Sequence, residues 1–320
     1  MQLEQTIGLL GVGTALPACC LDLEELATGG RISSQPETLA RLGFERAFVA
    51  DDESACTLAA QAAEAALKDA RLRPCDIGAL VWASALPGNH LRPSTIRSKG
   101  ALHQFTYAGS WLQEELGLDR ATVTATAQQG CAGMFSALRS ARAMLLAEPE
   151  LEHVLCVGVD VLPHGASREI LYNVISDGAC AVVVSRHATR NRWIAFHQVT
   201  RGYYWDTPAL EKEIIASYFA TSRIVLNELL VKAQLAPAAI ECFIPTGVSR
   251  TSWPILLRLA GFSEEQLYRS ERPHFGHTIA ADNFIFLEEI RRKGIIARGS
   301  KLLLFTYGFG SSWCGLILEH

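Results

Sequence analysis

The chain has 320 residues, 49% of them hydrophobic and 19% charged, with a formal net charge of −4. That length supports two packed halves with a sizeable core, and the mildly negative balance carries no basic footprint for nucleic acid or an anionic membrane. The opening Met1-Gln-Leu-Glu-Gln lacks the basic flank of a secretory signal, and no apolar run is expected to reach the ~20 residues of a membrane helix. The nine cysteines include no C-x-x-C pair. Their odd number and lack of metal spacing predict reduced thiols, no metal site and a cytoplasmic location.

In chain order, residues 6–13 read as a buried strand closed by a turn at Leu16-Pro17. Residues 21–27 follow as a short helix and 29–35 as a polar loop. Residues 39–48 carry an amphipathic, weakly helical pattern, and the Ala-rich stretch 56–70 predicts a strong helix. A strand is expected at 79–84, an irregular run at 87–110 and helical structure at 111–116. A β-like run at 121–125 then meets Gln129-Gly-Cys131-Ala-Gly133, and a helix begins at once. This places Cys131 at or near a helix N-terminus, where unpaired N–H groups and the helix dipole favour a thiolate. The thiolate is the nucleophilic form, and the small neighbours Gly130, Ala132 and Gly133 leave room for a substrate. A buried structural cysteine is the alternative reading of the same stretch. Strands at 154–159 and 180–184 complete this half.

The second half replays the order. A long helix at 214–233 leads through Leu235-Ala-Pro-Ala-Ala-Ile240 into a strand at Cys242, as Leu72-Arg-Pro-Cys-Asp-Ile77 leads into the strand at 79–84. The runs 153–158 and 178–184 are echoed at 301–305 and 312–318. The pattern is an internal duplication of a βαβαβαββ unit, dividing the chain at 1–186 and 187–320. Within it, Phe275-Gly-His277-Thr-Ile-Ala-Ala-Asp282 stands where the Cys131 turn stands in the first half. Packing about a pseudo-two-fold axis would bring Cys131 and His277 together.

These residues resemble the β-ketoacyl-ACP synthase III (ketosynthase III) group of the thiolase superfamily. Ile7-Gly-Leu-Leu-Gly-Val-Gly resembles its opening strand, and Gln129-Gly-Cys131-Ala-Gly-Met-Phe its nucleophile turn. Ser176-Asp-Gly-Ala resembles its Gly-Asp-Gly-Ala segment, and Tyr307-Gly-Phe-Gly-Ser-Ser-Trp its C-terminal glycine loop. The resemblance implies an α/β thiolase fold, five-layer αβαβα, a homodimer and an acyl thioester on Cys131.

Two departures redirect the expected chemistry. Family condensing enzymes carry Cys, His and Asn, the last two donating hydrogen bonds to a malonyl thioester oxygen as decarboxylation builds charge there. In this sequence Thr246 of Ile244-Pro-Thr246-Gly-Val-Ser holds the His position, and His277 of Gly276-His277-Thr-Ile-Ala-Ala holds the Asn position. A Cys with one His suits ping-pong acyl transfer, with Asp282 orienting the imidazole. This Cys-His-Asp layout is similar to acyltransferase offshoots of the family that acylate sugars or other natural-product acceptors. A packing role for His277 and a dipole role for Asp282 are the structural alternatives.

Further assignments come with the resemblance. The N–H groups of Cys131 and the Gly308-Phe309-Gly310 loop are oxyanion donors, although that loop also reads as a tight turn. Thr246 is a pocket wall, His274 is an alternative base or lines the entrance, and His164 flanks the substrate mouth. Arg41 and Arg168, with Arg46, are donor-binding candidates that would face an acidic carrier protein or CoA. Phe105, Tyr107 and Trp111 belong to a region that closes the acyl pocket. The donor is the phosphopantetheine of an acyl carrier protein or CoA, with no resident cofactor, and the acceptor a small molecule of secondary metabolism. A condensing or priming ketosynthase with an altered triad is the second reading, and a non-catalytic partner subunit the third.

Overall fold

The computed structural model describes residues 6–51, 53–86, 105–271, 274–309 and 311–320. Residues 87–104 of the irregular run expected at 87–110, and Gly310, lie outside the described residues, and the end of that run is helical from Ala108. The first half runs β1 (Gly8–Ala15), β2 (Cys20–Asp22), α1 (Leu23–Thr28), α2 (Pro36–Arg41), β3 (Arg46–Phe48), α3 (Ala55–Ala70) and β4 (Ala79–Ala83). It continues with α4 (Ala108–Glu115), β5 (Thr122–Thr126), α5 (Gly133–Ala147), β6 (His153–Asp160), β7 (Glu169–Ile170), β8 (Asn173–Val174) and β9 (Gly178–Ser185). The second half holds β10 (Arg192–Thr200), α6 (Glu211–Ala233), β11 (Cys242–Ile244), α7 (Ser252–Leu259), α8 (Asp282–Lys293), β12 (Lys301–Gly308) and β13 (Ser312–Glu319).

The weak helix expected at 39–48 is corrected. The helix starts earlier, at Pro36, whose fixed φ and missing N–H suit a first turn, and it stops at Arg41. Residues 46–48 instead pair with 20–22 as a short antiparallel ladder. The sequence reading placed no element at β10 or α7.

The duplication is visible in the hydrogen-bonding pattern. In the first half β5 and β4 run parallel to each other, β4 runs parallel to β6, and β6 is antiparallel to β9. In the second, β11 runs parallel to β12, which is antiparallel to β13. The single bridge Phe243↔Leu267 stands where the first half has β5. Strands follow the order β11-β12-β13-β10-β1-β9-β6-β4-β5, but the β1–β10 link rests on the one pair Gly8↔Arg192, so two sheets meet there.

Alternating side chains then build five layers. Leu302 and Leu304 of β12 face a core shared with α5 and α8, while Leu303 and Phe305 face α6 and α7. On the other sheet, Val154 and Cys156 face the central helices, and Leu155 and Val157 face α3 and α4. The central layer is joined by Phe135 of α5 against Phe284 of α8, ring centroids 5.8 Å apart. Contrary to the expectation of no apolar run of that length, α6 is a 23-residue helix long and apolar enough to cross a membrane. Val225, Leu226, Leu229 and Leu230 bury it against the second sheet, which accounts for its composition.

β1 and α3 meet almost backbone to backbone. A Cβ on Gly13 would lie 2.3 Å from Ala62 O and Ala66 N. The alanine face of α3 has no bulk to withdraw. Gly13→Val is expected to destabilise the fold by about 1–3 kcal/mol, read as a lower denaturant midpoint at unchanged slope.

Candidate active site

Cys131 is presented by a turn that glycines make possible. The chain leaves β5, takes left-handed conformations at Gln128 (φ 63°) and Gly130 (φ 50°), and passes through one 3-10 turn, Gly130–Ala132, into α5. A Cβ on Gly130 would lie 2.4 Å from Phe309 N, and one on Gly308 would lie 2.2 Å from Gln129 O and 2.6 Å from Cys131 N. The nucleophile turn and the β12–β13 turn are therefore interlocked, each requiring glycine from the other. Gln198 of β10 braces the same turn, its Nε2 donating to Gln129 Oε1 at 2.7 Å and to Ser136 Oγ at 3.3 Å.

His277 is held by its backbone as firmly as by its side chain. Its N–H donates to Val174 O at 2.7 Å, and its C=O accepts from Ser176 N at 2.9 Å. The imidazole Nε2 lies 2.9 Å from Cys131 Sγ, and Nδ1 bonds Asp282 Oδ2. Asp282 is the first residue of α8, has no exposed surface, and is surrounded by donors. Thr278 N donates to Oδ1 at 2.8 Å and Thr278 Oγ1 at 2.5 Å, while Gly247 N donates to Oδ2 at 2.7 Å. Burial alone would raise the Asp282 pKa, but His277 and the Thr278 bonds outweigh it and hold the group below its usual value. Burial would likewise lower the His277 pKa, yet Cys131 and Asp282 on either side raise it well above that of an ordinary imidazole. The arrangement provides a nucleophile, a proton carrier and an orienting carboxylate in one line.

A cavity of about 1090 Å³ opens onto this line, with Cys131 and His277 in its wall. Ile214, Tyr218, Phe219, Tyr307 and Phe309 make much of it apolar and aromatic. Leu171 and Tyr172, both left-handed (φ 50° and 61°), form the β7–β8 turn at another side of it. Positive φ at both positions is the geometry of a type I′ turn, the usual two-residue connection of an antiparallel hairpin.

Comparison with known proteins agrees with this architecture. Residues 126–202 match the 3-oxoacyl-[acyl-carrier-protein (ACP)] synthase III model, and residues 230–320 match the C-terminal model of the same enzyme, together more than half of the chain. The chain belongs to the 3-oxoacyl-ACP synthase III family. A β-ketoacyl-ACP synthase III of Neisseria gonorrhoeae is 25% identical, across 97% of this chain and 98% of the relative. The solved synthase III of Aquifex aeolicus superposes with TM-score 0.84 at 21% identity, covering 98% of this chain and all of that one. ChlB3, described as an acyltransferase, superposes with TM-score 0.83 at 22% identity, over 98% of this chain and 97% of its own. The fold is the thiolase fold of this family.

Against that frame, Cys131, His277 and Asp282 come together, Phe309 lines the cavity, and Gly308 backs the nucleophile turn. Several other expected residues lie elsewhere. Arg168 is fully buried, with its two terminal nitrogens on the two oxygens of Asp177 at 2.5 and 2.8 Å, so it cannot face a carrier. Arg41 is exposed at the end of α2, where its neighbours Thr38 and Leu42, not Arg41 itself, reach the cavity wall. Thr246 is buried and lines a second cavity of about 280 Å³ instead, together with His274. Burial and the Arg250 charge bring His274 down to about 4, and its ring stacks on Phe44 at 4.6 Å. His164 sits exposed, 3.3 Å from Asp51. Phe105 and Tyr107 are exposed, and Trp111 packs with the outer core of the first sheet. Gln198 and Tyr218 had no signal in the sequence beyond their residue type, whereas Tyr307 opens the glycine-loop motif.

The proton held on His277 ties stability to pH. A raised folded-state pKa contributes stability that is fully present below the unfolded value, about 6.5, and is lost as pH rises through the folded value. The stability difference between wild type and His277→Gln in urea is therefore expected to be largest below about pH 6.5 and to shrink at alkaline pH.

Proposed function

We propose that the protein is an acyltransferase that takes an acyl group from a carrier-protein or CoA thioester onto Cys131 and passes it to an oxygen or nitrogen nucleophile. The observation that carries this reading is the line Cys131 Sγ, His277, Asp282, with 2.9 Å between sulfur and Nε2. In the first half-reaction the Cys131 thiolate attacks the donor carbonyl, the acyl–Sγ bond forms, and the donor C–S bond breaks. The departing thiol takes the proton from His277 Nε2. In the second, Nε2 accepts the proton of the acceptor O–H or N–H as that atom attacks the acyl carbon, and Sγ leaves as thiolate. Asp282, held by Thr278 and Gly247, fixes the ring and stabilises the imidazolium. The N–H of Cys131, beside Gly308, and the neighbouring loop N–H are the oxyanion donors of the reading.

A condensing reaction is the second reading, because the Neisseria relative carries that name. It needs a second hydrogen-bond donor on the thioester oxygen as carbon dioxide leaves. Thr246 lines the other cavity, and the adjacent Gly247 N–H is engaged by Asp282, which favours transfer over condensation. We further propose a homodimer built along β5, the outermost strand, whose residues 122–125 are exposed. An exposed edge of this kind is usually covered. The reading places the enzyme in the cytoplasm, in secondary metabolism, with no resident cofactor.

Intact-mass spectrometry after incubation with acyl-CoA and acyl-carrier thioesters checks the first half-reaction. Wild type is expected to gain one acyl mass and Cys131→Ala none, with His277→Ala acylated on the order of 10²-fold more slowly. Absence of an adduct with every donor would overturn the reading and favour a partner-subunit role.

A further inference from the structure

The wall of the Cys131 cavity is assembled from uncharged side chains. Beside its apolar and aromatic part stand hydroxyls and amides, among them Gln129, Asn173, Thr200, Ser249, Thr251 and Ser252. Among the described residues that line it there is no Asp, Glu, Lys or Arg. The chain between Leu86 and Phe105 holds no Asp or Glu in its sequence either. Carboxylates that adjoin the wall are engaged elsewhere. Asp282 gives its oxygens to His277, Thr278 and Gly247. Asp160 accepts from Ser84 Oγ at 3.1 Å and from the N–H groups of the lining residues Ala85 and Leu86 at 2.8 and 3.1 Å. Burial lifts its pKa to about 7, which leaves it short of a full charge at neutral pH. Glu169, next to the lining residue Ile170, accepts from Ser33 N at 2.7 Å and Ser34 N at 2.8 Å. Flanking charges such as Arg41, Arg250, Glu37 and Glu213 are of both signs and exposed, where water and salt screen them.

A charge that leaves water for such a wall loses hydration and meets no counter-ion. A neutral hydroxyl compound instead exchanges its bonds to water for bonds to hydroxyls and amides. An alkylamine, with a pKa near ~10, arrives as its ammonium ion and must shed a proton before its lone pair can attack. An alcohol enters as it is. Its O–H proton passes to His277 Nε2 as the C–O bond forms and the acyl–Sγ bond breaks, with Sγ leaving as thiolate. Building on the acyl-Cys131 reading, we infer that the acceptor is a neutral hydroxyl compound and that the uncharged wall rejects cationic acceptors. The discrimination is by charge and not by size.

Choline and 3,3-dimethylbutan-1-ol make the test pair, because they share a shape and a hydroxyl and differ in charge. Discharge of acyl-Cys131 by each is followed by intact-mass spectrometry. The neutral alcohol is expected to discharge wild type at least about tenfold faster than choline. Ile215→Glu and Ser252→Glu each add a carboxylate to the wall and are expected to narrow that ratio several-fold, whereas Ile215→Gln and Ser252→Gln keep it. Thermal melts confirm that each variant is folded. Discharge by choline at the rate of the neutral alcohol, or faster, overturns the inference. So does a ratio that is the same in the Glu and Gln variants, which would place the preference in something other than charge. A second measurement needs no acyl donor. Alkylation at the Cys131 peptide by N-(3,3-dimethylbutyl)iodoacetamide is compared with that by its trimethylammonioethyl isostere, each rate normalised to 2-mercaptoethanol. If no thioester acylates wild type, the transferase reading fails separately and this pair decides the charge preference of the cavity. Alkylation about tenfold faster by the neutral reagent, narrowed by the Glu substitutions, supports rejection of cations, and equal rates overturn it.

Discussion

The buried carboxylate of Asp282 is the constraint on which the site depends. A carboxylate with no exposed surface is tolerable only when its lone pairs are filled. Asp282 fills them from three places in the chain: His277, Thr278 and Gly247. Those bonds fix the ring plane of His277 and dock the 245–247 turn onto the start of α8. His277 in turn touches Cys131 from the other half of the duplicated fold. Charge satisfaction at one residue thus aligns two elements far apart in sequence.

The five layers exist to present that alignment. The central helices α5 and α8 lie between the two sheets, and their N-termini carry the Cys131 turn and Asp282. The interlocked glycines at 130 and 308 set how closely the β12–β13 turn approaches the nucleophile. Rigidity comes from backbone contacts, while specificity is left to the side chains of α6, β12 and the β7–β8 turn around the cavity.

Much of the arrangement was legible in the sequence because the duplication repeats its punctuation. The two Leu-x-Pro-x-x-Ile turns and the paired closing strands placed Cys131 and His277 at matching helix starts, and the structure puts them 2.9 Å apart. What failed did so for physical reasons. β10 hid because Trp193 to Phe196 breaks the alternation expected of a strand, with a register shift at that point. Arg168 looked available as a donor-binding cation, yet its pairing with Asp177 is set by the fold. Thr246 was assigned to the right turn, but the direction of its side chain depends on how that turn docks on α8.

The claim that one imidazole serves transfer, and not condensation, is tested most directly by the fate of the acyl-enzyme. Purified acyl-Cys131 protein would be mixed with a panel of alcohols and amines, or with a malonyl thioester labelled in its free carboxyl group. The account predicts that an ester or amide forms as the enzyme is discharged, with no labelled carbon dioxide above the level of Cys131→Ala. Stoichiometric release of labelled carbon dioxide with a new carbon–carbon bond would contradict it.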